Sequence, residues 1–329
     1  MENVVFVVNE APYCVWGNRL REDNLNFLKN IDPTIFERFA NSQFKELEAD
    51  PSPQSAVQLR LSYGIAVEAL LSFLAATIQA PLCVFGWLSR CRPGELVQIV
   101  EKIKHERNVL NMFGREYFNW KEISKLVFSE IDLPDQSKRD RIIVRFGELW
   151  RNFADDFLDS RSKGEFNSIK HGMRINPGPV RVSIGLQRTK DTPCPIEEMQ
   201  KVCDSSYGST FMELIEFNGG SHNYRVRSRT SVWTPENYFH GISFIKYSLN
   251  NILGFLRIVN GCDPAEVTYI FPEDESEFES PWRISQGLNG IDEPESFNEE
   301  DVKALGKAEI LSAYKKISEK VGLRQDSAS

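Results

Sequence analysis

Between Ser55 and Ala80 the chain reads SAVQLRLSYGIAVEALLSFLAATIQA, with Arg60 and Glu68 as its only charged residues. A helix written this way is apolar nearly all round, so it has no solvent face and must be packed on every side, as the central helix of a bundle is. Its limits are equally plain. Two prolines in ADPSPQS (Ala49 to Ser55) break whatever precedes it, and Pro81 ends it. The overlapping run Ala69 to Leu88 has the length to cross a bilayer, but Gln79-Ala80-Pro81 interrupts it and Glu68 abuts it. A buried core helix is the better reading, and no membrane partner is expected. The opening MENVVFVVNEAP carries an acidic start and a short apolar run, unlike a signal peptide, which points to a cytoplasmic protein.

The 329-residue chain divides into three parts about this helix. Residues 1–54 read as an irregular N-terminal segment and a helix opened by Asp32-Pro33. Residues 55–262 read as a helical bundle. A second helix is expected from about Leu82 to Cys91 and a third from Gly94 to Phe113. After a turn at Asp132 to Asp140, Ile142, Phe146, Leu149, Phe153 and Phe157 step at helical period. Gly164 is the expected interruption of that helix. VRVSIGLQ, STFMELIEF and YRVRSRTSVW alternate and carry β-branched or aromatic residues, predicting three antiparallel strands at about 180–233. Asn218-Gly219-Gly220-Ser221 is the expected turn between the last two. Pro235 then opens a last core helix to about Val259. Residues 263–329 read as an acidic tail with a helix from Asn298 to Lys320. The fold class expected is therefore mainly α, a helical bundle with a small antiparallel β-sheet inserted before its last core helix.

A net charge of −8 excludes a protein that binds nucleic acid by bulk charge alone, but the charge is unevenly spread. Lys138 to Gln187 holds ten basic and six acidic residues, whereas Asp263 to Asp301 holds thirteen acidic residues and only Arg283. Six scattered cysteines form no C-x-x-C pair, so neither a zinc site nor any other cofactor is expected and the thiols read as reduced structural residues. Nucleotide-binding glycine loops and metalloprotease motifs are absent.

The residues that could carry chemistry lie in EFNSIKHGMRIN, Glu165 to Asn176. Asn167, His171 and Arg174 fall on one helical face with Lys170 at its edge. A histidine near neutral pKa can take and give a proton, and neighbouring cations can stabilise charge growing on a phosphorane. The bland alternative is that Lys170, His171 and Arg174 complement the negative end of the helix dipole. Glu68, a lone carboxylate in an apolar helix, reaches solvent or pairs with Arg60 or another arginine if its role is structural, and pairs with Lys170 or orients His171 if it belongs to a site. Arg225, Arg227 and Arg229 alternate, so as strand residues they share one face that could track phosphates or deter edge pairing. The acidic tail is a candidate counter-surface for them, in competition with nucleic acid.

NSIKHG, together with the central RLSYGIAVEALLSFLAA, resembles the HEPN family of helical bundles. That resemblance covers about residues 55–175 and 235–260. It implies a metal-independent RNase site in which His171 is the general acid or base. Lys170 and Arg174 would stabilise the phosphate, Asn167 would position a substrate oxygen and Glu68 would orient the site. The family's arginine four to six residues before the histidine has no counterpart here, since Arg161 lies ten residues before His171. The expectation is a protein that binds or acts on RNA, with metal-independent endoribonuclease activity as its candidate chemistry. The alternative is a non-catalytic scaffold for protein–protein interaction, a homodimer among its forms.

Overall fold

The computed structural model describes residues 1–131, 133, 135–186, 188, 194–216, 222–279, 290–293 and 304–326. The chain opens with an antiparallel hairpin, β1 (Glu2–Val8) and β2 (Ala11–Gly17), turning at Asn9 with φ 55°. Eight helices follow: α1 (Leu20–Lys29), α2 (Ile35–Ala49), α3 (Pro53–Gln79), α4 (Val84–Arg90), α5 (Pro93–Lys104), α6 (Trp120–Val127), α7 (Gln136–Leu158) and α8 (Ser160–Lys170). Then come β3 (Ile175–Pro177), β4 (Val180–Ile184), β5 (Gln200–Ser205), β6 (Gly208–Glu216), β7 (Tyr224–Val232), α9 (Pro235–Val259), β8 (Gly290–Glu293) and α10 (Lys307–Asp326).

The expectation of a mainly helical bundle with one small sheet is overturned. Eight strands form three separate sheets among the described residues, and the fold is mixed α/β. One sheet is the N-terminal hairpin, where an irregular segment was expected; its strands bury Phe6 and Val8 against the helices. A second sheet has the order β3-β6-β7-β8, and its edge strand β8 comes from the acidic tail. The third pairs β4 with β5, so VRVSIGLQ does not join the sheet of the other two predicted strands. The expected Asn218–Ser221 turn lies outside the described residues.

α3 is the axis on which the rest is packed. Ser52 caps it by accepting from the Ser55 N–H at 3.2 Å, Pro53 supplies its first turn, and 18 of its 27 residues are buried, which leaves it no continuous solvent face. It is the one described helix long and apolar enough to cross a membrane, and most of that span is buried within the protein. α7 and α9 flank it; the Trp150 indole donates to the Ser248 hydroxyl at 2.9 Å where these two helices meet. The hydrophobic core draws on all three predicted segments, from Phe6 in β1 to Phe278 beyond α9. At the C-terminal end of α3, the Gln79 side chain accepts from the Asn9 amide at 3.0 Å and donates to the Asn9 and Leu110 carbonyls at 3.1 and 2.9 Å. That amide keys the hairpin turn onto the bundle.

Candidate functional site

The position of α8 begins with a break. The expected interruption at Gly164 is instead at Asp159, whose backbone is extended and whose carboxylate accepts from the Ser162 N–H at 2.8 Å. Asp159 thereby ends α7 and caps α8. α8 then crosses α3 closely at Gly64, where a Cβ would overlap the Phe166 ring. This contact carries the end of α8 to Glu68, and the Lys170 ammonium meets the Glu68 carboxylate at 2.8 Å while lying 5.2 Å from the Phe166 ring centroid. Beside them opens a cleft of about 620 Å³, walled by α3, the start of α5, α8, β7 and the start of α9.

Under one side of the cleft is a buried ion pair. Arg60 Nε stands 2.8 Å from Glu165 Oε2, with the two side chains 5% and 2% exposed. Burial is the largest single effect and opposes charge on Arg60, but the Glu165 carboxylate together with the Tyr238 and Tyr63 phenols outweighs it, so its pKa is raised. Glu165 also accepts from the Ser209 hydroxyl and, at 2.8 Å, from the Trp233 indole. The Arg60 guanidinium donates to the Ser162 carbonyl at 3.3 Å and lies 5.9 and 5.4 Å from the Tyr63 and Tyr238 ring centroids. Tyr63 donates to Asp156 at 2.6 Å; burial first, then that carboxylate, pushes its pKa well up, and burial does the same for Tyr238. Both phenols stay protonated at neutral pH, so Tyr63 serves as a donor and Tyr238 as a packing surface, and neither serves as a base.

The opposite side is built differently. On β7, Arg227 lies across from Glu213 of β6, and Arg229 lies across from Asp292 of β8. Arg227 reaches Glu213 at 2.7 Å; Arg229 is 3.2 Å from Glu213 and 3.4 Å from Asp292; Arg161 of α8 reaches Asp292 at 3.0 Å. Arg229 is 5% exposed and donates to the Ser160 hydroxyl at 3.3 Å. The strand face expected to be an open phosphate track is therefore turned inward against α8 at Arg229, and the tail supplies one of its counter-charges.

Glu68, Asn167, Lys170, His171 and Arg229 all line the cleft, whereas Arg174, Arg225 and Arg227 do not. Arg174 folds back on the Asn167 carbonyl at 3.5 Å. His171 is exposed at the rim as the residue that ends α8, and among the described residues its ring has no hydrogen bond or ion pair. Arg60 does not pair with Glu68 but with Glu165, a residue the sequence reading passed over. Its buried role had one sequence signal: Arg60 is the only cation in the apolar stretch of α3. Tyr63, Asp156, Arg161 and Asp292 also line the cleft and carried no readable pattern. Comparison with family models, with curated proteins and with solved structures returns no match.

Proposed function

We propose that this cleft binds RNA and that the chain is a HEPN-like, metal-independent endoribonuclease. One observation carries the reading. Glu68 of α3 and the Asn167, Lys170 and His171 group at the end of α8, about a hundred residues later, converge on one cleft large enough for a nucleotide. His171, open at the rim, acts as general acid or base; Lys170 stabilises the phosphate; Asn167 positions a substrate oxygen; Glu68 holds Lys170. Arg174, outside the lining, has no part in this scheme. Purified protein incubated with total RNA in EDTA tests it. Cleavage that falls by about 10²–10⁴-fold in His171→Ala supports the activity. RNA that stays intact and unbound with the wild type removes it.

A second reading, a scaffold that pairs with another protein or a second copy of itself, is favoured by the outer face of β6, where Met212 and Leu214 are 65% and 63% exposed. Light scattering decides for it if the chain is dimeric and Met212→Lys makes it monomeric. A monomeric wild type decides against self-pairing.

A further inference from the structure

The two ionic groups beside the cleft differ in how well their donors are used. Around Glu165 the Arg60 pair is closed on itself. Around Asp292, three guanidiniums share two carboxylates, Glu213 and Asp292, for a net charge of +1. The contacts to Asp292 run 3.0 Å from Arg161, 3.4 Å from Arg229 and 3.7 Å from Arg227, beyond the roughly 2.7–2.9 Å of a well-formed charge-assisted bond. The donor surplus is explicit. Among the described residues, the Nε atoms of Arg161 and Arg227 and the Ser231 hydroxyl are buried without a hydrogen-bond partner, and Arg229 Nε faces Glu213 and Asp292 at 3.2 and 3.4 Å without the geometry of a hydrogen bond. Arg229 and Ser231 are each 5% exposed, and both line the cleft. A buried donor without an acceptor has given up its bond to water for nothing, so such a cluster favours any group that brings acceptor atoms. One carboxylate offers two oxygens; a phosphate group offers up to four and more negative charge. The first turn of α8, carrying Ser160 and Arg161, faces the same space, with its cap Asp159 beside it.

We propose that Arg161, Arg229 and Ser231 form a binding site for a phosphate group, and that Asp292 occupies it as a stand-in carried by the chain itself. Strand β8 suits that role. It is four residues long and, among the described residues, sits at the sheet edge and pairs with β7 alone. Its approach depends on Gly290, where a Cβ would overlap the Thr230 carbonyl and crowd Arg161. When Asp292 leaves, the guanidinium cluster rises from +1 to +2 and an arriving phosphate takes up the idle donors. The proposal deepens the RNA reading by placing a backbone phosphate, yet it holds equally for a free phosphate.

Calorimetric titration of the full chain with inorganic phosphate at low ionic strength tests it. Asp292→Asn keeps the shape of the strand and removes its charge; affinity is expected to rise about tenfold, as when a competent state populated to about a tenth becomes the main one. Gly290→Leu reaches the same end by loosening β8 with Asp292 retained. Adding Arg161→Gln to Asp292→Asn is expected to erase the gain. Phosphate affinity unchanged in both Asp292→Asn and Gly290→Leu, or a gain that survives Arg161→Gln, overturns the proposal. A parallel titration with a short oligoribonucleotide separates the two readings. Gain for phosphate alone supports the site and counts against RNA. Gain for RNA alone overturns the site and leaves the RNA reading standing.

Discussion

The Arg60–Glu165 pair and the Arg229–Asp292 pair are made of the same chemistry, an arginine and a carboxylate beside one cleft, and they do opposite things. Both Glu165 oxygens and three separate donors are accounted for, with two aromatic rings against the cation. Around Asp292 the bonds are long and the donors exceed the acceptors. Completeness marks the first as structure, since a buried pair tolerates no loss of a partner. Incompleteness marks the second as a place where something else can bind. The distinction lies in how fully each charge is satisfied, not in how deeply it is buried.

The comparison breaks most sharply at Arg60. Arg60→Ala strands Glu165 without its counter-charge and is expected to cost about 3–5 kcal/mol, read from the urea midpoint; a loss under about 1 kcal/mol would remove the structural assignment. Next is Gly64→Ala, which forces Phe166 off α3 and is expected to cost about 1–3 kcal/mol and loosen the end of α8. A third effect follows from the two phenols beside Arg60. Their folded pKa values are raised, so their stabilisation is complete below the unfolded tyrosine value of about 10 and is lost as pH rises through the folded values. Stability should decline above about pH 10, less steeply in Tyr63→Phe; ultraviolet titration should show these phenols ionising only as the chain unfolds. The smallest effect belongs to Glu68→Gln. Both partners of the Lys170 pair are partly exposed, so the stability change should stay below about 1 kcal/mol, while any RNA binding is altered.

The sequence was most legible where periodicity was long. α7 and α9 announce themselves because their apolar positions repeat over six or more turns, and Phe146, Phe153, Ile245 and Leu253 are buried as that period predicts; α3 does so by being apolar nearly all round between proline stops. The hairpin was illegible because VVFVV is apolar without alternation, although only Phe6 and Val8 of β1 are fully buried. α6 was missed for its brevity: eight residues give a period little room to repeat. In the site, alternation correctly put Arg225, Arg227 and Arg229 on one face of β7. Which side that face meets is settled by Phe211, Glu213 and α8, and period alone carries no such information. β8 is the extreme case. Gly290 to Glu293 has no pattern of its own, and its pairing depends on arginines more than sixty residues upstream.

The Gln79 amide has a consequence for the order in which the molecule is made. The hairpin leaves the ribosome about seventy residues before the side chain that fastens its turn. At roughly 5–20 residues per second, Phe6 and Val8 spend several seconds without α3 and α4 to cover them. During that interval the nascent chain presents a sticky strand pair to whatever is nearby, so Gln79→Ala should show its harm less in the finished protein's melting point than in the yield of chains that reach it.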